Sequence, residues 1–239
     1  LLPIIKALEE VHKKDPDIIF YGEGWTMNTH LTKEGYDLTT QTNSELVPGF
    51  AFFNDTLRDG LKGKISKNTD KGYVTGAKGY AYTIQSCFIA TARGWCENPT
   101  QTINYASCHD NYTLMDKINE VTHVDYKDYD YTPGEYQVQQ NNLAAAVYML
   151  SEGIPLIHAG EDFLRIKMDE TGHIIHNSYN ASDYVNQIRW NNLDDEVYAN
   201  TFEYYKGLIE FRKNHEALRL ATKAEVANVL KSYTWEGNN

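Results

Sequence analysis

The chain has 239 residues, 41% hydrophobic and 23% charged, which is enough for one sizeable core. Its formal net charge of −11, with no Lys/Arg cluster, excludes nucleic acid as a partner, because phosphates are repelled without a basic stripe. No apolar run reaches the roughly 18 residues of a membrane-spanning helix. Neutral polar ligands remain compatible with this composition, and 18 tyrosines suit either half-buried surfaces or a sugar-binding cleft.

Residues 3–14 place Ile4, Ala7, Leu8 and Val11 at helical spacing behind Pro3, so they predict a helix. The chain opens inside that helix and without Met, so a preceding segment is expected. Asp15-Pro16-Asp17 stops the helix, and residues 18–21 predict a short buried strand. A polar loop is expected over 26–48. Phe50 to Phe53 is a second apolar run, after which Asn54 is placed to cap a helix through Leu61. Beyond a loop over 62–79, a helix is expected over 81–93 and a strand over 103–107. Residues 111–121 predict a short helix and 126–134 a loop. A strong helix is expected over 136–152, with Leu143, Val147 and Leu150 on one face. A fourth strand is expected over 153–158 and a long amphipathic helix over 195–214. From Val226 to Trp235 the pattern becomes β-like.

Strand and helix thus alternate four times, which implies βα units around a parallel sheet. A closed eight-fold barrel needs eight strands, so four correspond to half of one, or to a different open fold. Three cysteines without CxxC spacing exclude a disulfide framework and a thiolate zinc site, leaving one bridge open.

Two acidic residues stand where predicted strands end. Glu23, in Tyr21-Gly22-Glu23-Gly24-Trp25, sits between glycines that permit close approach of a sugar or neighbouring backbone. Asp110 follows His109 after the third strand. That edge of a parallel sheet is where reacting groups gather. Two carboxyls so placed suit glycoside hydrolysis, with one protonating the leaving oxygen and one managing the developing cation. Taken singly, each has an ordinary alternative: Glu23 as a surface turn residue, Asp110-Asn111 as a helix cap, Trp25 as core. Further on, Glu161, Asp162 and Arg165 with Tyr179-Asn180 are placed to line a cleft floor, Arg165 pairing with Asp162 or Glu161. His158 reads as a core histidine within the strand. Asp169, Asp183, Asp194 and Asp195 leave a calcium site open without EF-hand spacing.

With these residues identified, the chain resembles the alpha-amylase superfamily of glycoside hydrolases, and within it the type I pullulanase family of alpha-glucan debranching enzymes. The resemblance covers residues 1 to about 220. Tyr21 to Trp25 resembles the family segment of the general acid, which falls on Glu23. Residues 105–111 are similar to the segment of the transition-state-stabilising Asp, which falls on Asp110, with the sugar-binding His on His109. Phe52-Phe53-Asn54-Asp55 and Leu57-Arg58-Asp59 resemble the sixth strand and helix. Residues 153–167, GIPLIHAGEDFLRIK, resemble the eighth strand and following loop, and Ser178-Tyr179-Asn180 the segment beyond.

The resemblance implies an α/β fold: the C-terminal half (about four βα units) of a (β/α)8 TIM barrel over 1–220, then the start of a C-terminal all-β domain over 221–239. It implies Glu23 and Asp110 as catalytic residues. His109, Trp25, Asn111, Arg165, Tyr179 and Asn180 would bind an alpha-glucan; no cofactor is required and calcium stays open. The family nucleophile, an Asp at the end of the fourth strand, has no counterpart here. The isolated chain is therefore expected to be inactive, and its open strand edges to promote self-association. A branching enzyme and a non-catalytic glucan-binding protein are the alternatives.

Overall fold

A computed structural model, which describes residues 1–231 apart from 28, 33, 91–93, 125–128 and 130, joins four short strands into one parallel sheet in chain order. These are β1 (Phe20–Gly22), β2 (Phe50–Phe53), β3 (Thr102–Asn104) and β4 (Ile154–Pro155). The register pairs Phe20 with Phe50, Phe52 with Thr102 and Ile103 with Ile154. Because strand order equals chain order, the sheet has no point at which its winding reverses, unlike a doubly wound fold. Around it lie α1 (Leu2–His12), α2 (Asp55–Lys62), α3 (Ala81–Phe88), α4 (Leu114–Thr122), α5 (Glu135–Leu150), α6 (Asp183–Asn186), α7 (Glu196–Asn214) and α8 (Lys223–Val229).

Local capping chemistry sets the helix starts. The Asn54 side chain accepts from Leu57 N at the head of α2, and that of Asp195 from Val197 N at the head of α7. Thr113, not Asn111, opens α4, through a capping box with Asp116. Asn111 instead adopts φ +62°, so the stretch from Asp110 to Tyr112 stays outside the helix. The expected helix over 81–93 ends at Phe88, Ala90 taking φ +55°; residues 91–93, and most of the loop expected over 126–134, lie outside the described residues.

Three expectations need correction. β1 is an edge strand, and Ile18, Ile19 and Tyr21 are exposed rather than buried, since β2 is its sole strand neighbour among the described residues and α1 buries only Leu8. On α5 the buried face carries Asn141, Ala144, Ala145, Tyr148 and Met149, while Leu143 is exposed. The alanines admit the close approach of α7 and α4, so packing rather than bulk decides the face. Residues 223–229 form a helix with a Thr222–Glu225 capping box, where the sequence pattern from Val226 to Trp235 predicts β structure; 232–235 lie outside the described residues.

The core lies between the helices. Leu57 and Leu61 of α2, Leu114 and Ile118 of α4, Tyr148 and Met149 of α5 and Tyr205 of α7 form one buried cluster with Phe163 and Met168. Each such aliphatic or aromatic side chain contributes about 1.5–3 kcal/mol on burial. This cluster braces the helices whose N-termini follow the strand ends. No helix among the described residues is long and apolar enough to cross a membrane.

Candidate active site

Glu23 follows β1 directly, Phe53 closes β2, Asp55 and Arg58 open α2, and Tyr105 to Asn111 follow β3. All sit at the C-terminal edge of the sheet. There Glu23, Trp25, Phe53, Asp55, Arg58, Ile65, Tyr105, Cys108, Asp110 and Asn111 line a cleft of about 290 Å³. A larger hollow of about 390 Å³ beside α3 is lined by Tyr73, Ile84, Phe88 and Leu230 among others and holds no carboxylate or imidazole. Convergent polar groups, not size, mark the chemically competent site.

Ligand atoms of Glu23, His109 and Asp110 lie within 4.8 Å of one another. His109 Nε2 is 3.4 Å from Asp110 Oδ1, with the imidazole exposed and the carboxylate about one-third exposed. The two carboxyls are therefore closer than the roughly 6.5–9.5 Å that leaves room for water in an inverting pair. This is the one group of three or more acidic, His or Cys ligands among the described residues. Two carboxylates and an imidazole make a mixed oxygen and nitrogen set, unlike the all-oxygen shell that calcium takes. Asp169, Asp183, Asp194 and Asp195 do not join such a group; Asp169 is engaged by Thr171, and Asp195 caps α7.

The glycines around Glu23 serve packing rather than ligand approach. Gly24 has φ +77°, and a Cβ there would come 2.7 Å from Phe52 Cδ1; at Gly22 it would meet the Phe50 ring at 3.3 Å. The turn carrying Glu23 thus rests on two aromatic rings of β2. Under the cleft, Arg58 Nη1 donates to the Tyr105 hydroxyl at 2.9 Å and Nε to Asp59 at 2.7 Å. Gln41 Nε2 donates to Asp55 Oδ1 at 3.0 Å.

Beneath the Asp110 segment the structure buries charge. Glu161 is fully enclosed and accepts hydrogen bonds from Ser107 Oγ, from Tyr148 at 2.7 Å and from Tyr205 at 3.3 Å. Burial raises its carboxyl pKa against the lowering effect of those hydroxyls. Burial, reinforced by neighbouring arginines, lowers the ammoniums of Lys62 and Lys167 to about 8.

Of the residues expected at the site, Glu23, Trp25, Asp110 and Asn111 meet in the cleft, with His109 against Asp110. The Tyr179 ring lies 6.4 Å from that of His109, and Asn180 is exposed next to it. Arg165 does not line this cleft. It lines a small crevice with Tyr129 and Phe163, and its guanidinium donates to the carbonyls of Ala159, at 2.9 Å, and Asn186, with no carboxylate in an ion pair with it among the described residues. The expected pairing with Asp162 or Glu161 does not form: Glu161 is taken by hydroxyls, and the Asp162 carboxylate is engaged by backbone at Gly160 and Asp162. His158 lies past the short β4, 3.4 Å from Arg165; burial, then Lys167, lowers its pKa to about 3. All three cysteines are free thiols. Sequence reasoning missed Phe53, Asp55, Arg58, Ile65, Tyr105 and Cys108 as cleft residues. The available signal was the polar pair three apart just past a strand end, Asp55 and Arg58.

No protein-family model matches the chain. Among known proteins, the pullulanase of Bacillus subtilis (strain 168) is 32% identical over 240 residues, covering 97% of this chain and 31% of that protein. The crystal structure of type I pullulanase from Bacillus subtilis strain 168 complexed with maltose superposes with a TM-score of 0.82 at 29% identity, covering 94% of this chain and 30% of that one. The Paenibacillus barengoltzii pullulanase complexed with maltohexaose and alpha-cyclodextrin gives 0.81 at 33% identity, over 94% of this chain and 33% of that one. The chain spans about a third of the length of these proteins. By sequence and by fold, it belongs to the type I pullulanase family of alpha-amylase-type glycoside hydrolases.

Proposed function

We propose that this chain supplies the general acid and the transition-state carboxylate of an alpha-glucan debranching hydrolase that cleaves α-1,6-glucosidic bonds. The observation that carries this reading is the meeting of Glu23 and Asp110, from two strand ends, within 4.8 Å beside His109. The reading is supported by family membership, and by relatives whose solved structures hold maltose and maltohexaose.

In this reading residues 1–220 are the C-terminal half of a catalytic barrel, and residues 221–239 lead into a further domain. The reaction is a retaining double displacement. An Asp outside this chain attacks the anomeric carbon while Glu23 protonates the leaving oxygen. Glu23 then takes a proton from the water that releases the sugar. Asp110 opposes the positive charge of the oxocarbenium-like transition state, His109 donates to a sugar hydroxyl, and Trp25 offers a ring face. The isolated chain, lacking the nucleophile, does not turn over. It self-associates through the β1 edge, where Ile18, Ile19 and Tyr21 are exposed.

The test is pullulan hydrolysis by the full-length protein. Glu23→Gln is expected to lower kcat by roughly 10³-fold or more. Unchanged turnover in that variant, or hydrolysis by the purified 239-residue chain, would refute the assignment. A second reading is favoured by one observation: the Glu23–Asp110 spacing also fits the roughly 5 Å of an acid–nucleophile pair. Trapping with a 2-fluoro glycosyl donor and mapping the labelled peptide separates the two. Label on Asp110 makes it the nucleophile; label outside this chain leaves it the stabiliser.

A further inference from the structure

Asp110 lies on a stretch that belongs to neither β3 nor α4, so no backbone ladder holds it. Four contacts with side chains from elsewhere hold it instead. Ser107 Oγ donates to the buried Glu161 carboxylate. The Asn111 amide donates to Asn177 Oδ1 at 3.2 Å. Lys167 Nζ donates to the carbonyl of His109 at 3.4 Å, and Lys62 Nζ to the carbonyl of Tyr112 at 3.0 Å.

The two lysines are 2% and 1% exposed, among the largest fully enclosed side chains in the core, and neither makes an ion pair among the described residues. An ammonium in such a place carries a desolvation cost of several kcal/mol. A neutral side chain of similar length would fill the space without that cost. What the ammoniums supply is a charged donor to the peptide carbonyls on either side of Asp110. Lys62 comes from the last turn of α2 and Lys167 from the loop after β4, so the stretch is gripped from two directions. Between the two grips, Asn111 is held at φ +62°, a conformation that non-glycine residues adopt only when their surroundings impose it.

We infer that Lys62 and Lys167 are positioning residues for Asp110, a two-ammonium clamp that sets where its carboxylate stands relative to Glu23. This inference rests on the reading of Asp110 as the transition-state carboxylate. The clamp acts through backbone carbonyls, and neither lysine touches substrate in this role.

The experiment is a double-mutant cycle in the full-length protein, with kcat and KM on pullulan and the thermal midpoint measured for each variant. Lys62→Met and Lys167→Met are expected to lower kcat by roughly 10- to 100-fold, the cost of a displacement of about 1 Å at a reacting group. KM is expected to stay within about twofold. In an Asp110→Asn background, the same substitutions are expected to change the residual kcat by less than about twofold, because the group they place is already gone. Equal kcat losses in both backgrounds would overturn the clamp, since the lysines would then act on the fold as a whole. So would retention of full kcat in the lysine variants. Should the Met variants not fold, Lys62→Gln and Lys167→Gln, uncharged and one atom too short to reach the same carbonyls, replace them, and the cycle is read on them with the same expected and overturning outcomes. Unchanged kcat in Asp110→Asn alone would sink the assignment of Asp110 itself, a result distinct from a failed clamp.

Discussion

The carboxamides of Asn54 and Asn104 are joined across 2.9 Å, Asn54 Nδ2 donating to Asn104 Oδ1, with both side chains fully buried. Asn104 Nδ2 passes the chain on to the Glu152 carbonyl at 2.7 Å, and Asn54 Oδ1 caps α2 at 3.1 Å from Leu57 N. One pair of amides therefore ties the ends of β2 and β3 to the end of α5 and to the start of α2. The site depends on it, because Phe53, Asp55 and Tyr105 flank these two residues.

Asn54→Ala removes a helix cap and leaves Asn104 Oδ1 buried without a donor. The expected loss is about 2–4 kcal/mol, the sum of a cap and one unsatisfied polar atom. Urea unfolding of the full-length protein measures it. A loss below about 0.5 kcal/mol would show that the amide chain is not a structural tie.

Gly24 sets the height of Glu23 above the sheet. Gly24→Ala drives a methyl against Phe52 at a backbone angle of +77°. The expected destabilisation is about 1–3 kcal/mol, with a fall in kcat as Glu23 is displaced. Full activity at unchanged stability would mean that the turn does not rest on the Phe52 ring.

His158 titrates far below its ordinary range, at about 3 against 6.5. The folded chain keeps the imidazole neutral while the unfolded chain takes up a proton below about pH 6.5. Its contribution to stability is therefore complete above pH 6.5 and declines as pH falls toward 3. Glu161, raised by burial, works in the opposite sense, since above its ordinary value the folded state holds a proton that the unfolded state releases. Comparing wild type with His158→Gln isolates the first effect: the variant is expected to lose less stability between pH 7 and pH 5. Parallel curves would mean that His158 titrates in the fold as it does in the unfolded chain.

The thiols provide a check on burial around the site. Cys87 and Cys96 are enclosed, burial raising Cys96 to about 12, and Cys108 is raised by the same cause. Reaction with a disulfide reagent at pH 8 is expected to be at least about tenfold slower than for a free thiol. In denaturant, all three cysteines of the chain are expected to react at once. A fast native thiol would place Cys108 in open solvent.

The local signals in the sequence were sufficient for what neighbours decide. Asn54 and Asp195 announce helix starts because a cap needs only an acceptor within three residues. Glu23 and Asp110 stand out because each follows a short apolar run, and successive apolar runs separated by helices imply parallel strands with their reactive ends together. Packing decided the rest. Whether Arg165 meets a carboxylate, which face α5 buries, and whether Lys62 and Lys167 sit in solvent or under Asp110 all depend on groups far along the chain. The Lys62–Tyr112 contact spans 50 residues, Ser107–Glu161 spans 54 and Lys167–His109 spans 58. Such partners are chosen by the burial of the whole core, since an enclosed charge accepts whatever dipole the fold brings to it. The sequence by itself determined the alternation of strands and helices up to α7 and singled out the two carboxyls, because caps and apolar runs are local; the tertiary structure alone decided what holds the second carboxyl in place.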